Sequence, residues 1–283
     1  MARAASATIA LTVLAMVAFA ANSLLCRVAL RGDHIDPASF GAIRVTAGAF
    51  VLAVAMRVRS RPTAPSDWPA AAMLFVYVGA FSFAYLTLPA GTGALILFGA
   101  VQLTMFAVGL ARGERFASRG WAGLALALAG FIVLVLPGVA APPLGGAMLM
   151  AVAGAAWGVY SLRGRGVPDP LAATASNFLR ALPLALLLGL MFAARAHADI
   201  AGGMLAIASG ALTSGLGYVI WYAALRGLSA LQAASVQLSV PVIAAVGGTL
   251  WLDEVFTARL FVAVVAILGG IGLVLMDRAR GRG

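Results

Sequence analysis

The chain has 283 residues, 63% of them hydrophobic and 10% charged, where a soluble domain carries about 25% charged residues. So much apolar surface cannot be kept from water by folding alone, which places the chain in a lipid bilayer. Its formal charge of +10 comes from nineteen arginines, with no lysine, scattered through short loops between apolar runs. No basic stripe interleaves with aromatics, which argues against a nucleic-acid partner. The absence of lysine removes a P-loop lysine and a Schiff base. The lone Cys26 excludes an intrachain disulfide and a cysteine metal cluster. His34 and His197 fall in predicted loops far apart in sequence, a poor basis for zinc. Neither a metal nor a cofactor is called for.

A membrane-crossing helix needs roughly 20 mainly apolar residues. Apolar runs set against charged and Pro/Gly breaks predict ten: 6–29, 37–56, 69–88, 90–111, 118–136, 144–162, 171–193, 201–224, 229–251 and 257–276. Within the first, Ala18-Phe19-Ala20 imitates a signal-peptidase site, but apolar sequence continues past it, so the run is read as a retained helix. The loops orient the spans, because arginine concentrates on the cytoplasmic side. With the N-terminus inside, the inner loops and ends hold Arg3, Arg57, Arg59, Arg61, Arg112, Arg115, Arg119, Arg163, Arg165, Arg226, Arg278, Arg280 and Arg282. The outer loops hold only Arg31, Arg195 and Arg259. Both termini are therefore expected in the cytoplasm of a cell with a bacterial-type inner membrane.

Residues 81–136 align without a gap on 221–276. Ala84, Leu88, Leu110, Glu114, Phe116, Arg119 and Gly130 fall on Ala224, Leu228, Leu250, Glu254, Phe256, Arg259 and Gly270. The front halves echo more weakly, Asp36-Pro37 ahead of Arg44 against Asp169-Pro170 ahead of Arg180. The expected fold is thus an all-α integral membrane protein, its ten transmembrane helices forming two repeats, 1–140 and 141–283. Five helices is an odd number, so the second repeat is inverted relative to the first, an arrangement that puts a substrate site near midplane between repeats.

Glu114-Arg115-Phe116 after the fourth span and Asp253-Glu254-Val255-Phe256 after the ninth are each followed by a Gly-rich helix, ending in Gly130-Phe131 or Gly269-Gly270-Ile271-Gly272. With Pro241 in the ninth span, these resemble the EamA family of the drug/metabolite transporter superfamily over essentially the whole chain. The first repeat departs from the pattern in having Val101 where Pro241 aligns. Within the family the ten-helix size and aromatic-lined helices look most like the YddG-type exporters of aromatic amino acids. The resemblance implies export of amino acids and similar small metabolites by alternating access, with no enzyme activity. The alternative is a carrier for other small organic solutes or drugs, and a monomer is the expected unit.

All nine acidic residues lie in loops or at helix ends. A buried carboxylate is the usual proton relay or cation site, so an antiporter working through one is disfavoured; facilitated export is the simplest mechanism left, with coupling through other groups open. A neutral or zwitterionic substrate needs uncharged hydrogen-bonding groups and an apolar wall. Candidates for that lining are Asn22, Tyr77, Phe81, Gln102, Trp157, Tyr160, Tyr218, Trp221 and Gln237. Interfacial anchoring is the competing reading for Tyr85, Trp157 and Tyr222, and helix bridging for the two glutamines. Arg44 and Arg180 lie about two turns into their helices, where each either attracts a substrate carboxylate or snorkels or pairs with a loop acid. Arg27, nearer its helix end, is expected to snorkel, and Glu114 and Glu254 to pair with Arg119 and Arg259. Gly123, Ala127, Gly130, Gly269, Gly270 and Gly272 are expected to let helices approach closely.

Overall fold

The structure, a computed structural model, describes residues 2–59, 67–111, 113, 118–136, 138, 141–164, 167–225 and 236–280, and within these the side chains of 7–274 except 222 and 225. The described residues are helical apart from one β-bridge and the connecting turns. In chain order come α1 (Ala2–Arg31), α2 (Pro37–Val58), α3 (Trp68–Ala84), α4 (Ala90–Ala111), α5 (Ser118–Val135), α6 (Leu144–Arg163) and α7 (Pro170–Met191). An eighth rod follows, made of α8 (Ile200–Ala208), a π-helical segment (Ser209–Leu216) and α9 (Gly217–Leu225). Then come α10 (Ser239–Trp251) and α11 (Ala258–Arg280).

Among the described residues seven helices are long and apolar enough to cross a membrane, and Trp68–Ala84, Ser239–Trp251 and Ala258–Val274 are shorter apolar helices. Large apolar side chains such as Phe50, Trp121, Ile132, Leu190, Met204, Leu250 and Phe261 face outward. Soluble proteins rarely expose so much apolar surface, and lipid is the medium that covers it. The predicted 69–88 span stops short at Ala84, because Pro89 has no N–H to give the Tyr85 carbonyl and its ring would clash there; Arg27 bonds that carbonyl instead. The predicted 229–251 span begins in residues outside those described.

Aspartates set where the helices begin. The side chains of Asp36, Asp67, Asp169 and Asp199 accept bonds from first-turn amides of α2, α3, α7 and α8. Three of these helices also carry proline in the first turn, where its missing N–H costs nothing.

The rods pack in a recurring pattern. α3 lies against α6 and α7, and α4 against α6; α1 lies against the eighth rod and α10, and α2 against the eighth rod. α2 also packs on α7, α4 on α10 and α5 on α11. The α5–α11 seam is glycine-built: a Cβ on Gly270 would collide with the Gly123 carbonyl and come within 2.6 Å of the Ala127 nitrogen. Gly269 and Gly272, expected to pack likewise, meet nothing within 4 Å.

The loops holding His34 and His197, distant in sequence, are zipped together. Ile35 and Ala198 form an antiparallel bridge, flanked by Asp36 N–H to the His197 carbonyl at 3.0 Å and Asp199 N–H to the His34 carbonyl at 2.9 Å. His34 Nδ1 lies 2.7 Å from Asp199, and His197 Nε2 lies 3.1 Å from Asp33. The Arg195 carbonyl beside Nδ1 of His197 raises that imidazole above its ordinary value, with Asp33 and Asp36 adding to it. The Gly202 amide and then His34 lower Asp199. Burial of Asp36 opposes ionisation, but bonds from Ser39, His197 and Ala38 outweigh it and lower its pKa.

Two predictions follow from this packing. Gly270→Val should overpack the seam and cost about 1–3 kcal/mol, whereas Gly272→Val should stay within about 0.5 kcal/mol; unfolding midpoints in detergent check this, and equal losses would contradict it. The loop zipper should be tightest above the ordinary carboxylate value of 3.8 and below the ordinary imidazole value of 6.5. The raised imidazole contributes below 6.5 and is lost as pH climbs through its folded value; the lowered carboxylates contribute above 3.8 and are lost as pH falls through theirs. Amide exchange at Asp36 and Asp199, corrected for intrinsic rates, should show protection falling on both sides of that window; protection that grows from pH 6 to 9 would contradict the assignment.

Candidate functional site

Asn22 and Ser23 of α1, Arg44 of α2, Tyr77 and Phe81 of α3, Trp157 of α6, Thr213 and Ser214 of the π segment and Tyr218 of α9 converge on one chamber. Phe19, Leu97 and Phe98 complete its wall. The chamber is almost closed, with a cavity of about 20 Å³, room for roughly one water molecule.

Arg44 dominates the site. It is 1% exposed, and a cation at such depth costs about 2.5–3.5 kcal/mol on insertion scales unless it finds partners. Its Nε donates to Ser214 Oγ at 3.1 Å and one terminal nitrogen donates to the Tyr77 hydroxyl at 3.0 Å. Its guanidinium carbon sits 4.9 Å from the Phe81 ring centre and 5.1 Å from that of Tyr77, within reach of cation–π attraction. The second terminal nitrogen, Nη1, is buried with no hydrogen-bond partner. Every described partner of this charge is neutral.

The backbone approach that makes this possible is tight. A Cβ on Gly210 would collide with the Arg44 backbone, and one on Gly48 would come within 2.5 Å of the Phe178 ring. α2 and the π segment therefore touch backbone to backbone, which carries Ser214 to the guanidinium. The wider turn of a π segment, a feature often found at functional sites, also turns Ser209 and Thr213 toward α1. Ser209 donates to Asn22 Oδ1 at 2.7 Å. The Thr213 hydroxyl lies 3.1 Å from the same oxygen and 2.8 Å from the Ser209 carbonyl. Asn22 Nδ2 reaches the Tyr77 hydroxyl at 3.4 Å, joining α1, α2, α3 and the eighth rod in one polar network.

An aromatic wall faces it. Trp157 lies 4.9 Å from Tyr77 and 5.0 Å from Tyr218, ring centre to ring centre. Tyr160 is stacked behind Trp157 at 5.3 Å. Trp221 sits edge-on to Phe19 at 5.9 Å, one layer out. These rings are buried inside the bundle, so Trp157 is no interfacial anchor. Tyr85 is buried too, but its hydroxyl donates to the Ala90 carbonyl at 3.3 Å, away from the chamber. Gln102 is buried in α4 off the lining, and Gln237 is half-buried beside undescribed residues. Arg180 is half-buried and bonds back to Ser176, its own helix's hydroxyl and carbonyl; it does not reach the chamber.

Two pairings differ from expectation. Glu254 does not meet Arg259: it pairs with Arg27 at 3.0 Å and accepts the Ala90 N–H at 2.7 Å. Its carboxylate thereby serves the start of α4, where unpaired amides and the helix dipole favour an anion. Arg27 therefore does not snorkel, while Arg259 donates to the Leu136 carbonyl. Glu114, Phe116 and the Tyr222 side chain lie outside the described residues. Ser209, Thr213 and Ser214 escaped sequence reasoning; the signal available was a Ser/Thr pair four residues apart in an otherwise apolar span.

A family model for EamA-like transporters matches residues 144–276. A protein of Pseudomonas aeruginosa known only as uncharacterised is 57% identical over 273 residues, 96% of this chain and 95% of that one. A "probable terminal-alkyne amino-acid exporter" of Streptantibioticus cattleyicolor is 27% identical over 278 residues, 94% of this chain and 92% of its own. A crystal structure aligns with a TM-score of 0.67 over 95% of this chain and 97% of that chain, at 20% identity, which speaks for the fold alone. The chain belongs to the EamA-like transporter family: it is a multi-pass membrane transporter of small molecules, not an enzyme.

Proposed function

We propose that this protein exports amino acids, aromatic ones included, and similar small metabolites across an inner membrane, by alternating access through the Arg44 chamber. The observation that carries the reading is a fully buried cation on an aromatic-walled chamber, one of its nitrogens without a hydrogen-bond partner and no acid among the described residues that line it. A substrate carboxylate supplies the missing partner, and the rings of Trp157, Tyr77 and Tyr218 suit an apolar side chain. The printed description of the Streptantibioticus relative, an amino-acid exporter, supports the same class.

The architecture we infer is ten crossings in two inverted repeats, 1–140 and 141–283, with both termini cytoplasmic. Helix packing supports it. Replacing each rod by the one five places along turns the α3–α6 contact into the contact of the eighth rod with α1. It turns α4–α6 into α10–α1, and α3–α7 into the eighth rod with α2. The pairs α2–α7, α4–α10 and α5–α11 map onto themselves. Such a pattern is what a two-fold relation between repeats produces.

A cavity of about 20 Å³ is far below the several hundred Å³ of a small-molecule site, so the walls must part to admit substrate. The α1/eighth-rod pair and the α3/α6 pair face each other across it, bridged by Asn22–Tyr77 and Trp157–Tyr218. Separating these pairs toward one side and then the other is the motion we assign to transport.

Purified protein in proteoliposomes should take up amino acids from a panel tested with and without a pH gradient; no uptake of any of them would remove this reading. Among variants that remain monodisperse, Trp157→Phe and Asn22→Ala should each lower uptake about tenfold, the equivalent of roughly 1.4 kcal/mol. Arg44→Gln should lower it at least about a hundredfold and Arg180→Gln less than about threefold. Equal effects at the two arginines would contradict the placement of the site.

A further inference from the structure

The hydrogen-bonding capacity of the chamber is lopsided. The Nη1 of Arg44 holds two N–H groups with no acceptor. The Tyr77 hydroxyl already accepts from Arg44 and Asn22, which leaves its proton to give. The Ser214 hydroxyl accepts from Arg44 Nε and likewise keeps its proton. Acceptors are another matter. Asn22 Oδ1 takes the Ser209 hydroxyl and shares that of Thr213, and among the described residues no carboxylate lines the space. A bound molecule therefore meets one full positive charge and donors from three side chains, while the acceptors offered by the described lining side chains are neutral oxygens.

An ammonium group fares badly in such surroundings. The ring faces that could hold it include Tyr77 and Phe81, but the Arg44 guanidinium already lies over both, at 5.1 and 4.9 Å. A second cation there meets like charge in a medium that screens weakly. Charge balance points the same way. A carboxylate bound to Arg44 makes a neutral pair, whereas a zwitterion leaves one positive charge uncompensated inside the bundle, where charge is costly.

We propose that a carboxylate on an apolar or aromatic body is the whole of the recognition element, so that the protein also carries monocarboxylates lacking an α-ammonium group, such as arylalkanoates, and rejects amines lacking a carboxylate. The proposal rests on the Arg44 chamber being the transport site. It differs from the amino-acid reading in what it demands of the ligand: the anion is required and the ammonium is dispensable.

Three probes that share a phenylethyl body separate the possibilities: phenylalanine, 3-phenylpropanoate and 2-phenylethylamine. Each is measured for binding to the purified full-length protein by calorimetry at neutral pH, where the first is zwitterionic, the second anionic and the third cationic, and for uptake by proteoliposomes against protein-free liposomes. The expected result is 3-phenylpropanoate binding at least as tightly as phenylalanine, to within about threefold, with 2-phenylethylamine at least about a hundredfold weaker. Arg44→Gln should abolish binding of both carboxylates. Phenylalanine bound and carried while 3-phenylpropanoate is not would overturn this proposal and leave amino-acid export standing. The reverse, 3-phenylpropanoate without phenylalanine, would sustain the proposal and remove the amino-acid reading. Binding of 2-phenylethylamine as tight as that of phenylalanine would overturn the proposal, and binding of none of the three would overturn both.

Discussion

A single buried guanidinium organises the centre of this protein. Arg44 sits where a charge is expensive, and the bundle meets that cost with neutral groups: a serine, a tyrosine hydroxyl and two ring faces. A neighbouring acid would have been the cheaper solution, as at Arg27, whose charge Glu254 balances. The contrast between the two arginines is informative. The one that joins helix ends is neutralised within the chain; the one at the chamber is left for something else to neutralise. The glycines at 48 and 210 belong to the same device, since without their close approach Ser214 could not reach the guanidinium.

Around that centre the bundle is shut, and its fastenings differ in kind. In the chamber the bridges are weak and many: a long amide-to-hydroxyl contact and aromatic pairs, worth about 0.5–1.5 kcal/mol each beyond their buried area. At the α1–α2 and α7–α8 loops the fastening is a short backbone bridge reinforced by two His–Asp pairs. Near the same ends Arg27 ties α1 to Glu254 and thence to α4. Elsewhere Asp67 at the start of α3 pairs with Arg163 at the end of α6, at 2.9 Å. Exposed pairs of that sort contribute about 0–1 kcal/mol, so they release easily, which is what a wall that must move requires. Among the described residues no ion pair crosses the glycine seam of α5 and α11, which lies away from the chamber, suited to a fixed brace.

Several of the residues that converge on the chamber stood out in the sequence for one reason. In a run of Ala, Leu and Val, a residue such as Asn22, Arg44, Tyr77 or Trp157 costs free energy unless it has somewhere polar to point. The rule has limits, which the two arginines mark out. Arg180 satisfies itself on Ser176, four residues back on its own helix, so a costly residue need not mean a shared site. Ser209, Thr213 and Ser214 went unseen for the complementary reason: hydroxyls can bond to the preceding turn anywhere in a helix, and only the π segment turns these three inward. Helix starts were readable where Asp precedes Pro, at 36–37 and 169–170, and less so at Asp199, which caps without proline. Glu254 was assigned to Arg259 by nearness in sequence, whereas its true partners, Arg27 and Ala90, come from helices that only the fold brings together. Closure of the chamber is a property of packing, invisible to pattern.

The central claim is that a ligand carboxylate completes the hydrogen bonding of Arg44. The most direct measurement is the side-chain ¹⁵N spectrum of arginine-labelled protein in detergent, with the Arg44 and Arg180 signals assigned from single Arg→Lys variants. Titration with a transported substrate should shift the Nη signals of Arg44 and leave those of Arg180 in place. Movement of Arg180 with a silent Arg44 would contradict the account.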